Sequence, residues 1–376
     1  MQPLQKAPKI AYYRNLFIGD SIIALDSIYA IKSLYPNAHL CVFCGDIGAQ
    51  IFAPFSFIDE VVNIQNLSKK EVLKELDFRE FDYLILTQPN RKHTSIASNS
   101  NAKVVISFMM WHNIFRRVFG KKDFRRVFFS RSFSHTPNYK RLLSLVRAID
   151  TAHYDECISK VDFREARFPF SPTHREFVEQ NLAFLALDKL DKKGLKSKLG
   201  GGILDSRQNV SDNIDNGLNK DLDKKINILI NPYSNSCPVS LTKEGYARLA
   251  NALATNLPNS KIIISSFVYA PPLPQLENLP NIYTFVNNSD LLNLIELVRS
   301  ADIVISPSTS VIHIADNLCK KIIGIYSKKD MSLWLGKNMD KSMMIVPKIP
   351  TNKLKTHTEN AIIQSIIQKV LEISQA

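Results

Sequence analysis

Short apolar-centred runs recur along the chain at Leu40–Phe43, Phe81–Leu86, Val104–Ser107, Ile226–Ile230, Lys261–Ser265, Asp302–Ile305 and Lys321–Tyr326. Helix-length stretches lie between them, with apolar residues three to five apart, as in Ile23, Ile28, Ile31 and Leu34 before the stop at Pro36. Runs of that length without polar alternation are strands buried on both faces, and strands alternating with helices build a parallel sheet from βαβ units. The opening segment, Lys9–Ile18, has the same strand character and is broken by Gly19-Asp20-Ser21. Pro169 and Pro172 precede a helical stretch at 174–187, and Asp188–Lys225 is polar and carries Gly200-Gly201-Gly202. That polar stretch separates two series of strands. The expected fold is therefore α/β, with two doubly wound Rossmann-like domains facing across a cleft. The domains are predicted at 1–170 and 226–350, joined by a helical linker with a polar insertion at 171–225. A closing helix lies within 351–376, with Ile362, Ile363, Ile366, Ile367, Val370 and Leu371 on one stripe. A chain of 376 residues is the size for two such domains.

In sheets of this kind ligands bind beyond the carboxyl ends of the strands, so the loops after each strand hold the candidate site. Asp20 comes where the first strand pattern breaks and a helix pattern begins. A carboxylate there can take a proton from a hydroxyl as general base, or can simply cap the helix. Ser306-Pro307-Ser308-Thr309-Ser310 leads from a strand into the helix that carries His313. Free N–H groups and the positive end of the helix dipole make such a junction an anion site, and Ser308, Thr309 and Ser310 add hydroxyl donors. His313 in the first turn is either a structural histidine or a donor to a phosphate oxygen. A second polar loop, with Ser234, Asn235 and Ser236, follows the strand at Ile226–Ile230.

A formal net charge of +13 points to an anionic partner. Much of it concentrates in Arg116–Arg141, where nine Lys or Arg stand against one acid, Asp123. Phe115, Phe119, Phe124, Phe128, Phe129 and Phe133 interleave with these cations. Basic residues among aromatics suit an anionic membrane surface or a phosphorylated acceptor, and no nucleic-acid motif accompanies them. Arg116, Arg117, Lys121, Lys122, Arg125 and Arg126 are the candidate acceptor contacts. No apolar run follows the basic N-terminus, and Val104–Trp111 is too short to span a bilayer. The expected location is cytoplasmic, peripheral at the inner face of the cytoplasmic membrane. Five cysteines make no disulfide framework, and Cys41 and Cys44 fall three apart on a strand, on opposite faces. Asp221-Leu222-Asp223 has the D-x-D form used to hold metals, but lies in the polar stretch and reads as solvated charge. Neither a metal nor a cofactor is expected.

Three segments in order resemble glycosyltransferase family nine, the lipopolysaccharide heptosyltransferases. The first is Arg14-Asn15-Leu16-Phe17-Ile18-Gly19-Asp20 with Tyr35-Pro36-Asn37-Ala38 after the following helix. The second is Ile230-Asn231-Pro232-Tyr233-Ser234 with Leu241-Thr242-Lys243-Glu244-Gly245-Tyr246. The third, Ala301–Ala315, is similar to the family's D-T/S-G-x-x-H-x-A signature. The resemblance implies a GT-B fold and metal-independent, inverting transfer from a nucleotide sugar, typically ADP-heptose, onto the inner core of lipopolysaccharide. It implies Asp20 as the base. Ser308, Thr309, Ser310 and His313 would cradle the donor diphosphate, helped by Ser234, Asn235 and Ser236, while the basic stretch would face a phosphorylated lipid-linked acceptor. Ser308 and Ser310 replace the signature's Asp and Gly, no cation precedes the helix after the second loop, and Ser327 stands where a Gly is expected. The altered donor loop keeps open an alternative, a non-catalytic member that binds a nucleotide sugar or lipid-linked glycan. An epimerase is disfavoured because no G-x-G-x-x-G follows the first strand.

Overall fold

The computed structural model describes residues 7–110, 123–127, 135–192, 225–234 and 237–375. It divides into two compact units, Met1–Phe170 with Ser308–Cys319 and Lys328–Met339, and Ser171–Pro307 with Lys320–Ser327 and Asp340–Ala376.

The sheet of the first unit has strands β1 (Lys9–Tyr13), β2 (His39–Cys44), β3 (Glu60–Asn63), β4 (Tyr83–Leu86), β5 (Val104–Phe108) and β6 (Asp123–Val127). Its order is β3-β2-β1-β4-β5-β6 and every pairing is parallel. After its first residue each of β1 and β2 is buried throughout, as a sheet covered on both faces requires. Helices α1 (Ile18–Ile23), α2 (Leu25–Leu34), α3 (Asp46–Phe52), α4 (Lys69–Arg79) and α5 (Arg91–Asn99) connect the first five strands. Local chemistry sets their ends: Ser68 and Glu71 form a reciprocal capping box at α4, and the Asn90 side chain caps α5. Helices α6 (Asn138–Arg147) and α7 (Thr151–Cys157) follow.

The second unit begins with helix α8 (Pro172–Lys192) and has strands β7 (Asn227–Ile230), β8 (Lys261–Phe267), β9 (Ile282–Asn287), β10 (Ile303–Pro307), β11 (Lys321–Ile325) and β12 (Met344–Ile345). Their order, β12-β11-β10-β7-β8-β9, repeats the first sheet's winding, and again every pairing is parallel. Helices α9 (Lys243–Asn256), α10 (Leu291–Ser300) and α13 (Thr356–Gln375) belong to it. α11 (Ser310–Asn317) and α12 (Lys328–Trp334), which follow β10 and β11 in the chain, are counted with the first unit. In both sheets strand order reverses beside the first strand, between β1 and β4 and between β7 and β10. Those reversals are where open α/β sheets bind ligands.

The fold expectation of two doubly wound α/β domains is met. Two differences bear on function. The first strand stops at Tyr13 rather than Ile18, so Asp20 lies inside α1 instead of opening a helix. Strands β3, β6, β9 and β12, absent from the sequence pattern, complete the sheets as their edges. Among the described residues no helix is long and apolar enough to cross a membrane. Cys41 and Cys44 are free and buried in β2, and burial pushes both thiols up, Cys44 to about 12.

Candidate active site

The site grows from the end of β1. Arg14 follows the strand and continues its pairing, its backbone N–H donating to Phe43 O at 2.8 Å. Its side chain, only 5% exposed, turns toward α1. There Nε and Nη2 donate to the backbone oxygen of Asp20 at 3.1 and 2.8 Å, and Nη2 reaches Asp20 Oδ1 at 3.3 Å. The guanidinium therefore grips α1 by a carbonyl and leaves most of the Asp20 carboxylate's lone pairs unused. Asp20 caps nothing: the N-cap position belongs to Phe17, which makes no side-chain capping bond. The capping alternative for Asp20 thus falls away. Burial lifts the Asp20 carboxyl above the ordinary carboxylate range, and Arg14 opposes part of that rise. With about a quarter of its side chain exposed, Asp20 is accessible as well as partly desolvated.

α11 stands against α1. A Cβ on Gly19 would lie 2.8 Å from His313 Cδ2 and 3.6 Å from the Ser310 Cα. The glycine before Asp20 is needed for this close approach, not for an unusual backbone angle. Thr309 is the N-cap of α11 and makes no side-chain capping bond, so its hydroxyl does not satisfy the helix's first N–H groups. Ser308, Thr309 and Ser310 are half-buried at this end. His313 is 6% exposed, burial alone lowers it to about 4, and it is neutral at physiological pH. Its Nδ1 has no hydrogen-bond partner among the described residues, and its ring lies 6.0 Å from that of Trp334. An unpaired buried ring nitrogen is costly, which marks this position for a ligand.

Gly19→Val is accordingly expected to force α1 and α11 apart. Overpacking of this sort costs about 1–3 kcal/mol, readable as a lowered denaturation midpoint, and it shifts α1, which carries Asp20, away from α11. Gly19→Ala, with one methyl against a side-chain ring, is expected to lie between the variant and the native protein.

In the second unit, Asn231 after β7 is tied to the end of β10, with its N–H on Ile305 O at 2.9 Å and Nδ2 on Ser306 Oγ at 3.0 Å. This holds the strand reversal together. Ser234 Oγ accepts from Cys237 N–H at 3.0 Å and so shapes its own loop. Asn235 and Ser236 lie outside the described residues, as do Arg116, Arg117, Lys121, Lys122 and the Asp221-Leu222-Asp223 segment. Of the basic stretch, Arg125 on β6 donates to Ala148 O and Ile149 O and pairs with Asp123. Arg126 stacks on the Phe124 ring at 4.9 Å. Among the described residues no group of three or more His, Cys, Asp or Glu could hold a metal ion.

Residues without a sequence signal also gather here. Asp26 on α2, Asp316 on α11 and Lys337 after α12 meet beside His313. Their positions in sequence give no motif. Arg14 has a signal, a cation directly after an apolar strand, though its grip on α1 follows only from the fold.

The same fold recurs in solved structures. A family-nine glycosyl transferase from Veillonella parvula matches with TM-score 0.64 at 13% identity, over 96% of this chain and 97% of that one. E. coli ADP-heptose lps heptosyltransferase II matches with TM-score 0.62 at 11% identity, over 96% and 99%. An E. coli heptosyltransferase in complex with ADP matches with TM-score 0.61 at 14% identity, again over 96% and 99%. The chain has the GT-B fold of these proteins. No family profile matches it, and no curated protein matches it in sequence.

Proposed function

We propose that this protein is a glycosyltransferase that moves a sugar from a nucleotide-sugar donor onto a surface-glycan acceptor. The observation that carries the proposal is Asp20, held by Arg14 through its own carbonyl, lifted by burial and set one residue from the glycine that packs on Ser310 and His313. We take Asp20 as a base near the N-terminus of α11, whose first N–H groups have no partner within the helix, and glycosyl transfer uses both features. The whole-length likeness to family-nine enzymes supports it, as do the three motif segments.

In the proposed reaction the donor diphosphate binds at the start of α11, against Ser308, Thr309 and Ser310, with His313 as a neutral donor to a phosphate oxygen. The acceptor hydroxyl attacks the anomeric carbon. Its O–H proton goes to the Asp20 carboxylate, the bond from the anomeric carbon to the phosphate oxygen breaks, and the nucleoside diphosphate leaves with the electron pair. A single displacement inverts the anomeric centre. The helix N–H groups meet the charge that grows on the leaving group, without a metal. By resemblance the donor is ADP-heptose and the acceptor the phosphorylated core of lipopolysaccharide. Arg116, Arg117, Lys121, Lys122, Arg125 and Arg126 would serve that acceptor at the inner face of the cytoplasmic membrane.

The test is release of nucleoside diphosphate from ADP-heptose and other nucleotide sugars, with and without deacylated core oligosaccharide. Acceptor-dependent release from one donor is the expected result. Binding of a donor with no release from any would overturn transfer in favour of a non-catalytic binding protein, the alternative that Ser308 in place of an Asp motivates.

A further inference from the structure

Where the first helix of the second unit begins, three side chains stand in one line of hydrogen bonds. Ser171 Oγ lies 2.5 Å from His174 Nδ1, and His174 Nε2 lies 3.1 Å from Asp290 Oδ2. All three residues belong to the second unit. Ser171 immediately precedes α8, His174 is in its first turn, and Asp290 is the N-cap of α10.

The partners fix where the protons sit. An ionised carboxylate only accepts, so the neutral His174 ring carries its proton on Nε2 and donates it to Asp290. Nδ1 is then a bare lone pair, and the Ser171 hydroxyl donates to it. Asp290 is itself held, because its Oδ1 accepts from Leu292 N–H at 2.9 Å and leaves Oδ2 for the ring. Ser171 is held through its backbone, with its N–H on Glu296 Oε1 at 3.2 Å and its carbonyl accepting from Arg175 N–H at 2.9 Å.

An ordinary serine cap spends its hydroxyl oxygen on a backbone N–H two or three residues on. Here that oxygen faces a ring nitrogen instead, and the N–H groups of Thr173 and His174 have no acceptor among the described residues. Two free donors beside the serine oxygen, at the positive end of a 21-residue helix, are placed to stabilise an oxyanion. A hydroxyl, a base that accepts its proton and a carboxylate that orients the base are the parts of nucleophilic acyl transfer. Nearby charges cancel: Arg175 pairs with Glu179, Arg299 with Glu296, and Lys320 feels both Asp302 and Glu296 as well as the two arginines. The setting therefore favours no charged substrate. The side chains of His174 and Asp290 are 22% and 43% exposed, which admits the water that deacylation needs and suits a small acyl group.

We propose that Ser171, His174 and Asp290 form a second active site, one that hydrolyses uncharged carboxylic esters of short acyl chains. The Ser171 oxygen attacks the ester carbonyl carbon as its proton passes to His174 Nδ1. The carbonyl electron pair moves onto oxygen, toward the Thr173 and His174 N–H groups. The bond to the alcohol oxygen then breaks, and His174 returns the proton to that oxygen. Water repeats the sequence on the acyl-serine and releases the acid. Asp290 is a positioning residue that holds the ring in the reactive tautomer. None of this depends on the transferase reading.

The test uses the full-length protein with p-nitrophenyl acetate and, separately, with an alkyl fluorophosphonate, which traps an activated serine by losing fluoride. Saturable release of p-nitrophenolate is expected, with one fluorophosphonate adduct located on Ser171 by peptide mass spectrometry. Urea-unfolded protein is expected to give no adduct there. Ser171→Asn keeps a good N-cap and removes the nucleophile, so it is expected to lose saturable turnover while its melting curve stays cooperative. His174→Gln is expected to slow both turnover and adduct formation about 10²–10⁴-fold. Asp290→Asn caps α10 equally well, so a mere cap would leave turnover unmoved, whereas the relay predicts a lower kcat with KM little changed. No adduct on Ser171 in the native protein, an adduct that forms as fast in His174→Gln, or turnover retained by Ser171→Asn overturns the second site. Faster turnover of p-nitrophenyl octanoate than of the acetate overturns the assigned substrate class.

Discussion

Asp20→Asn is expected to lower kcat by about 10²–10⁴-fold, the range that a positioned general base contributes. The amide keeps the size of the side chain and an oxygen for Arg14, so the geometry of α1 survives while the proton acceptor is lost. Most of Arg14's grip is on the Asp20 carbonyl, which the substitution does not touch. The KM for the donor should therefore move little. The pH profile makes the same point with a sign. A base works when deprotonated, so the rate rises with pH through its pKa, and burial places that pKa above the ordinary carboxylate range. The rising limb is expected to vanish in Asp20→Asn. Stability should not suffer. A carboxyl whose pKa is raised by folding contributes a cost wherever it is charged, so the neutral amide is expected to hold the denaturation midpoint or lift it at neutral pH. Full activity in a folded Asp20→Asn protein would remove Asp20 as the base.

How far the sequence led differs between the sheets and the site, for physical reasons. The eight strands legible as apolar runs are the interior strands of both sheets, and the four that were not, β3, β6, β9 and β12, are their four edges. An interior strand must be apolar on both faces, and Ile-Val-Ile-Ser-Pro in β10 is buried at every residue. An edge strand need not be. Asp123–Val127 places Asp-Phe-Arg-Arg-Val on an edge, with charge that also guards against unwanted pairing, and β12 has only two residues. Hydrophobic pattern thus reveals a parallel sheet from its middle outward. The first strand was overrun for a related reason. Leu16, Phe17 and Ile18 extend its apolar run, yet Ile18 already begins α1 and Phe17 is exposed.

Candidate residues could be picked from sequence where a strand gives way directly to a helix, as with Ser308, Thr309, Ser310 and His313 between β10 and α11. They could not be picked where an arrangement depends on contact between distant segments. Asp26, Asp316 and Lys337 read singly as ordinary surface charges, and their meeting is a product of how α2, α11 and the segment after α12 pack. Gly19 shows the intermediate case. A glycine before an aspartate suggests a turn, whereas the fold uses it to admit the His313 ring.

Glu359 is the other residue whose loss should be large, and in the opposite currency. The closing helix was legible from its apolar stripe, and Ile363, Ile366, Ile367 and Val370 are buried in the second unit's core. Glu359, in the first turn of that same helix, is 3% exposed and has no place in an apolar pattern. Its carboxylate accepts from Thr242 N–H at 2.6 Å, from Thr242 Oγ1 at 3.1 Å and from Arg248. It thereby fastens α13 to the N-terminus of α9, where Gly245 leaves no room for a side chain beside it. Glu359→Ala removes three acceptor contacts and strands the part-buried donors of Thr242. The expected cost is about 3 kcal/mol, below the full penalty of a broken buried pair because Arg248 is a third exposed and regains water. Glu359→Gln keeps an acceptor for Thr242 and loses only the charge toward Arg248, so its denaturation midpoint should fall between the alanine variant and the native protein. At a temperature where Glu359→Ala remains folded, its kcat per folded molecule should match the native value. Asp20 and Glu359 then form a contrasting pair: Asp20, partly buried, has a raised pKa and so costs stability when charged, whereas Glu359 is buried with its charge bonded. A Glu359→Ala protein as stable as the native one would mean that the apolar stripe alone docks the helix.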